Sequence, residues 1–130
     1  MGTPIWVGKE VALAIHKRQL AEYGGGDGVR DEGLLESALA RPVNRYAYGN
    51  PQPTLAELAA SYAFGLTHNH PFIDGNKRVA YVVCHLFLRL NGKRLVAANT
   101  EKYRKFLSLA QGSMEEGALA SWIHAHLQTL

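Results

Sequence analysis

The chain holds a single cysteine, no clustered run of lysine and arginine, and no apolar stretch long enough to span a bilayer. Each absence excludes something. One thiol, Cys84, cannot form an internal disulfide or a thiolate zinc cage, and it suits a reducing cytoplasm. A net charge of +3 permits contact with phosphates or acidic partners, but without a basic stripe it is not a nucleic-acid signature, so no direct nucleic-acid contact is expected. The opening "MGTPIWVGKE" has no apolar run of signal-peptide length, and neither a leader nor a membrane segment is expected. Alternation of strand and helix patterns is missing too, which argues against a Rossmann or P-loop sheet. What is present is 130 residues, 47% hydrophobic and 19% charged: one globular cytoplasmic domain over residues 1–130.

Helical periodicity fills most of that length, with cap chemistry at the breaks. A first helix spans 8–23 and stops at "YGGGDG". Asp31 can cap a second, "DEGLLESALARP", which Pro42 is expected to end. The following "VNRYAYGNPQP" has no 3.6-residue repeat and reads as an exposed loop. Thr54 and Glu57 form a capping box for a third helix, with Leu55, Leu58, Ala59, Tyr62 and Leu66 on one face and an end near Asn69–Pro71. A fourth helix runs from about Asn76 to "NG" at Asn91-Gly92. It is apolar on most of its circumference, as a central helix would be. An extended "RLVAA", a helix through "KYRKFLSLA", and a last helix with Leu119, Trp122 and Ile123 follow, the last preceded by a second capping box at Ser113 and Glu116. The expectation is an all-α, single-domain orthogonal bundle of about six helices around a central buried one.

Between helices three and four lies "HNHPFIDGNKR", far more charge than a connector needs. A helix N-terminus is already an anion site, through its unpaired N–H groups and the positive end of its dipole. Gly75 lets a phosphate approach the backbone, and Asn76, Lys77 and Arg78 add donors and two positive charges. Cations in a first turn are the wrong sign, costing about 0.3–1 kcal/mol each. A bound polyphosphate is the simplest compensation. Asp74 suits a Mg²⁺ that completes its shell with phosphate and water, and His70 could take a proton from an attacking hydroxyl. Pro71 stiffens the turn and Phe72 can anchor it. Together these describe transfer of a phosphorus-containing group from a nucleotide.

Other histidines read more plainly. His16 shares a face with Leu13 and Leu20 and belongs to packing. His85 lies about 10.5 Å along the helix from Arg78, too far to join His70 at one metal. His124 and His126 have no acid partner, and Lys17, Arg18 and "KYRK" form solvated faces. The literal "HNH" is no nuclease signature. Consecutive residues on a helix point about 100° apart, and no strand pair precedes His68.

"HPFIDGNKR" resembles the core motif of the Fic/Doc superfamily, in particular its death-on-curing branch with H-x-F-x-D/N-x-N-K-R. "GGGDGVRDEGLLESALARP", "LAELAASYAFGLTHNHPF" and "FLRLNG" look like the same family's surroundings. The resemblance implies an all-α fold, with His70 as general base, Asp74 as Mg²⁺ ligand, Asn76 with the turn's amides as anion hole, and Arg78 as phosphate ligand. Adenylylating relatives carry H-P-F-x-x-G-N-G-R-x-x-R. Lys77 replaces their glycine here and Tyr81 their second arginine, and tyrosine cannot supply that bidentate charge. In the death-on-curing branch this goes with a nucleotide that presents its γ-phosphate to the target hydroxyl. The resemblance therefore implies a toxin kinase using ATP and Mg²⁺, acting on a Ser/Thr hydroxyl of a Tu-type translation elongation factor and restrained by a cognate antitoxin. Adenylylation of a protein hydroxyl, and a non-catalytic antitoxin-binding module, are the alternatives. The segment "RPVNRYAYGNPQP" falls where the superfamily places its target-docking flap. Arg45, Tyr46 and Tyr48 are candidates for holding a peptide there, beside the plainer reading of a loop whose tyrosines cover the core.

Overall fold

The computed structural model describes residues 2–130. Among them are six helices, α1 (Lys9–Tyr23), α2 (Glu32–Tyr48), α3 (Leu55–Asn69), α4 (Asn76–Leu90), α5 (Asn99–Ala110) and α6 (Glu116–Ala125). Two short strands, β1 (Lys93–Leu95) and β2 (Leu127–Thr129), pair antiparallel as a ribbon that ties the chain's end to the α4–α5 connection. The all-α reading holds. No helix among the described residues is long and apolar enough to cross a membrane.

The caps explain where most helices begin. Asp31 Oδ1 accepts the Leu34 N–H at 3.0 Å. At Thr54 both halves of the capping box form, Glu57 N–H to the threonine hydroxyl at 3.1 Å and Thr54 N–H to the Glu57 carboxylate at 2.9 Å. Gly24, with φ of 74°, stops α1.

Two expectations need correction. Pro42 does not end α2, which continues through Arg45 and Tyr46 to Tyr48, so residues 43–48 are helix and not loop. A mid-helix proline forfeits a hydrogen bond at about 3 kcal/mol or more, but tertiary contacts on both sides of Pro42 hold this helix together. Pro42 itself is buried, Arg41 and Arg45 both reach Glu116 Oε2 at 2.7 and 2.9 Å, and Tyr46 packs edge-on to Trp6. Those same guanidinium groups undo the second expected capping box. Glu116 is turned to α2, Ser113 donates to the Ser108 carbonyl at 3.2 Å, and Glu115 is the N-cap residue without a side-chain bond.

Helix α4 is central as its apolar circumference indicates, and α3 beside it is buried further, at nine of 15 residues against seven of 15. The reason is residue size. Ala56, Ala59, Ala60, Ala63 and Gly65 let neighbours approach closely, and a Cβ on Gly65 would lie 3.2 Å from the Ala38 backbone of α2. Tyr62 crosses this core to bond both backbone groups of Val7, and burial pushes its hydroxyl up to about 12. The end of α3 and the start of α4 therefore sit on a rigid, small-residue core.

His85, on α4, donates through Nδ1 to the Tyr81 carbonyl at 2.7 Å, while its buried Nε2 finds no partner among the described residues. Burial holds its imidazole below the usual histidine range, against the raising effect of the Tyr81 bond and with help from Lys102 and Arg89. The unfolded chain thus takes up a proton that the folded chain refuses. His85 contributes its full stability above the ordinary histidine value of about 6.5, and loses it as pH falls toward the lowered value. His85→Phe should therefore flatten the fall in urea midpoint between about pH 7 and pH 5; an unchanged slope would place the acid sensitivity elsewhere.

Candidate functional site

The helix pair α3–α4 meets in the loop 70–75, and its backbone is fixed from beneath. His70 caps α3 with φ of 51°, the one non-glycine residue among those described with a positive φ. This left-handed conformation is uncommon outside glycine, asparagine and aspartate, and it turns the chain sharply away from the helix. Arg30 secures the turn by donating to the carbonyls of His70 (2.7 Å) and Asn69 (2.9 Å). Residues 28–31 then run antiparallel to 71–73. Arg30 and Asp31 N–H groups reach the Pro71 carbonyl, Ile73 N–H reaches Gly28, and Val29 bridges Phe72.

Phe72 is fully buried and stacked on His16, ring centroids 4.0 Å apart. His16 Nε2 donates to the Asp74 carbonyl at 2.9 Å, so this buried histidine of α1 positions the acidic turn. Asn76 closes the loop. Its Oδ1 accepts the Phe72 N–H and its Nδ2 donates to the Phe72 carbonyl, both at 2.9 Å. The Asn76 side chain is thus buried and committed to the loop. What it offers an anion is its backbone N–H, one of the first-turn donors of α4 without an intrahelical acceptor.

Above this base opens a cavity of about 390 Å³. His70 and all of residues 74–78 line it, facing Leu107 and Ala110 of α5 and Gln111 just after it. Gly75, with φ of 83°, starts α4 without a side-chain cap. Lys77 and Arg78 have no carboxylate partner among the described residues. Each instead faces a ring: Lys77 Nζ lies 4.9 Å from the Tyr103 centroid and Arg78 Cζ 4.5 Å from that of Tyr23. Asp74 is exposed, its Oδ1 accepting the Gly75 N–H at 2.8 Å and its Oδ2 lying 3.4 Å from Gly26 N. No group of three or more histidine, cysteine, aspartate or glutamate side chains gathers for a metal among the described residues. One carboxylate beside a phosphate-sized cradle is the donor set that Mg²⁺ uses when phosphate and water complete its shell, and Asp74 fits it.

The residues of 70–78 come together; those of the expected docking loop do not join them. Arg45 is held to Glu116 and the Glu57 carbonyl. Glu57 and His70 are thirteen residues apart on α3, roughly 20 Å along its axis. Tyr46 packs on Trp6, and Tyr48, 86% exposed, is on the last turn of α2. The segment that does adjoin the motif is the glycine-rich one, 24–28. A Cβ on Gly25 would stand 2.7 Å from Asp74 Oδ2, at a φ of 117° that disfavours any side chain. The signal was in the chain, since four glycines in "GGGDG" are more than one helix stop requires.

Asn76→Ala should strand a buried N–H and carbonyl of Phe72 and lower stability by about 1–3 kcal/mol, read as a urea midpoint; no loss would mean that the loop does not depend on this amide.

The Fic/DOC family model matches residues 6–88, from just before α1 to within two residues of the end of α4. Over 75 residues the chain is 43% identical to Toxin Doc of Mycolicibacterium smegmatis, covering 58% of each protein. Over 86 residues it is 36% identical to Protein kinase doc of Escherichia phage P1, covering 66% of this chain and 68% of that one. The first match thus spans less than two thirds of the relative's length. With the motif, its supporting loop and its cavity inside the matched span, the chain belongs to the Fic/DOC family.

Proposed function

We propose that the protein is a toxin of a toxin–antitoxin pair that transfers the γ-phosphate of ATP to a Ser/Thr hydroxyl of a Tu-type elongation factor in the cytoplasm, and that a cognate antitoxin restrains it. The observation that carries this reading is the pair Lys77 and Arg78, cations in the first turn of a helix with no carboxylate partner among the described residues, in one cavity with His70 and Asp74. They need an anion, and the α4 N-terminus adds donors for it. The names of the relatives, a toxin and a protein kinase, agree.

In this mechanism His70 accepts the proton of the target hydroxyl as its oxygen attacks the γ-phosphorus. The bond from that phosphorus to the β,γ-bridging oxygen breaks, and ADP leaves with its electron pair. Lys77, Arg78 and the first-turn N–H groups hold the phosphate oxygens as charge shifts toward the leaving group. Asp74 would hold a Mg²⁺, which would supply neutralising charge on the polyphosphate. Lys77 occupies the space of a glycine and Tyr81 the place of an arginine in adenylylating relatives, which favours phosphoryl over adenylyl transfer.

Incubation with elongation factor and ATP labelled at either the α or the γ position separates the reactions. Label from the γ position alone should enter the target, and His70→Ala should reduce incorporation by about 10²–10⁴-fold. Label from the α position alone would establish adenylylation instead. Equal growth arrest by His70→Ala and the parent would assign the toxicity to binding.

A further inference from the structure

A general base is usually aimed by a third group that bonds its far nitrogen. His16, His85 and His126 each have a ring nitrogen bonded to a backbone carbonyl. Among the described residues no hydrogen bond engages the ring of His70, and the side-chain contact to this residue is made at its carbonyl. The imidazole is exposed on the cavity wall, so the backbone that carries it sets where it points. That backbone lies at φ 51° and ψ 55°, at the cap of α3. A left-handed cap usually falls to glycine, and a histidine stays there only where its surroundings over-determine it. The flanking residues are committed to other partners. Asn69 Nδ2 donates to the Leu34 carbonyl at 3.0 Å, and the Pro71 carbonyl accepts the Arg30 and Asp31 N–H groups.

Arg30 is what reaches His70 itself. Its Nε donates to the His70 carbonyl at 2.7 Å and its Nη2 to the Asn69 carbonyl at 2.9 Å. Those two carbonyls belong to the peptide planes on either side of the His70 Cα, and φ and ψ of His70 set how the planes are turned. A rigid planar fork across both therefore fixes both dihedrals at once, which a single-point ammonium cannot do. Helix-end carbonyls also lack intrahelical donors and carry the negative end of the dipole, so a guanidinium suits them electrostatically. We propose that Arg30 is the positioning residue for the base: from 40 positions away in sequence it holds His70 in the left-handed turn that aims its imidazole into the motif cavity. This rests on the transfer reading above and adds what orients its proton acceptor. The phosphate side of the site is braced separately, by His16 on the Asp74 carbonyl and by Asn76 on Phe72. Loss of the Arg30 side chain should therefore reach turnover through the base and leave nucleotide binding alone.

Arg30 is exposed, enters no ion pair among the described residues, and keeps its backbone bond to Pro71 when its side chain is changed, so Arg30→Ala and Arg30→Lys should fold. With elongation factor and ATP labelled at α and γ in parallel, Arg30→Ala should lower kcat by about 10²-fold, the scale of a misplaced catalytic group, with KM for ATP unchanged. Arg30→Lys, reaching one carbonyl at a time, should fall between parent and alanine variant. In the His70→Ala background Arg30→Ala should cost nothing more, since the group it positions is gone. Crystal structures of the parent and of Arg30→Ala give a readout independent of activity: His70 should leave the left-handed region while Asn76 keeps both bonds to Phe72. An unchanged kcat, a raised KM with kcat intact, or an equal loss in the His70→Ala background would overturn the proposal. So would a His70 that keeps its φ and ring position without the Arg30 side chain. A parent that transfers neither label would overturn the transfer reading, and the His70 conformation in the two crystals would still decide the role of Arg30.

Discussion

The clasp between Asn76 and Phe72 is the constraint from which the rest of the site follows. Two hydrogen bonds from one buried amide close a five-residue loop, so that a fully buried ring lies below it and Asp74, Gly75, Lys77 and Arg78 are presented above. His16 and Arg30 brace the same loop from α1 and from the strand-like segment before α2. Without such bracing a turn holding two uncompensated cations would relax outward into water. The small-residue face of α3 lets the helices beneath pack closely enough to make the brace rigid.

Seen from this loop, the charges divide by burial and partner. Arg41 and Arg45 are matched by Glu116 and hold α2 to α6, and Lys9 is matched by Glu32 and Glu36. Lys77 and Arg78 are held over rings, which orient a cation without neutralising it. The contrast separates charge matched within the fold from charge left without a carboxylate at the motif. Cys84 belongs with neither, since full burial pushes its thiol up to about 12 and makes it a small core residue.

How far the chain could be read without coordinates followed the range of the interactions involved. Helices with local caps, at Asp31 and Thr54, stood where their side chains indicated, because both partners lie within three residues. Pro42 and Ser113 misled because the deciding partners were distant: Glu116 is 75 residues from Arg41 and 71 from Arg45. The motif residues were legible as a cluster since they are contiguous. Their aromatic surroundings were not, since Tyr23, Tyr81 and Tyr103 come from three helices and meet only in the fold. Asn76 was recognisable as a member of the motif, but its commitment to Phe72 depended on a loop whose path no periodicity describes.

The central claim is that this loop presents a polyphosphate cradle whose far end faces His70. A crystal structure of the full chain with Mg²⁺ and a non-hydrolysable ATP analogue tests it most directly. The account predicts the γ-phosphorus beside His70, with its oxygens on Lys77, Arg78 and the first-turn N–H groups of α4. An α-phosphorus beside His70 would contradict it.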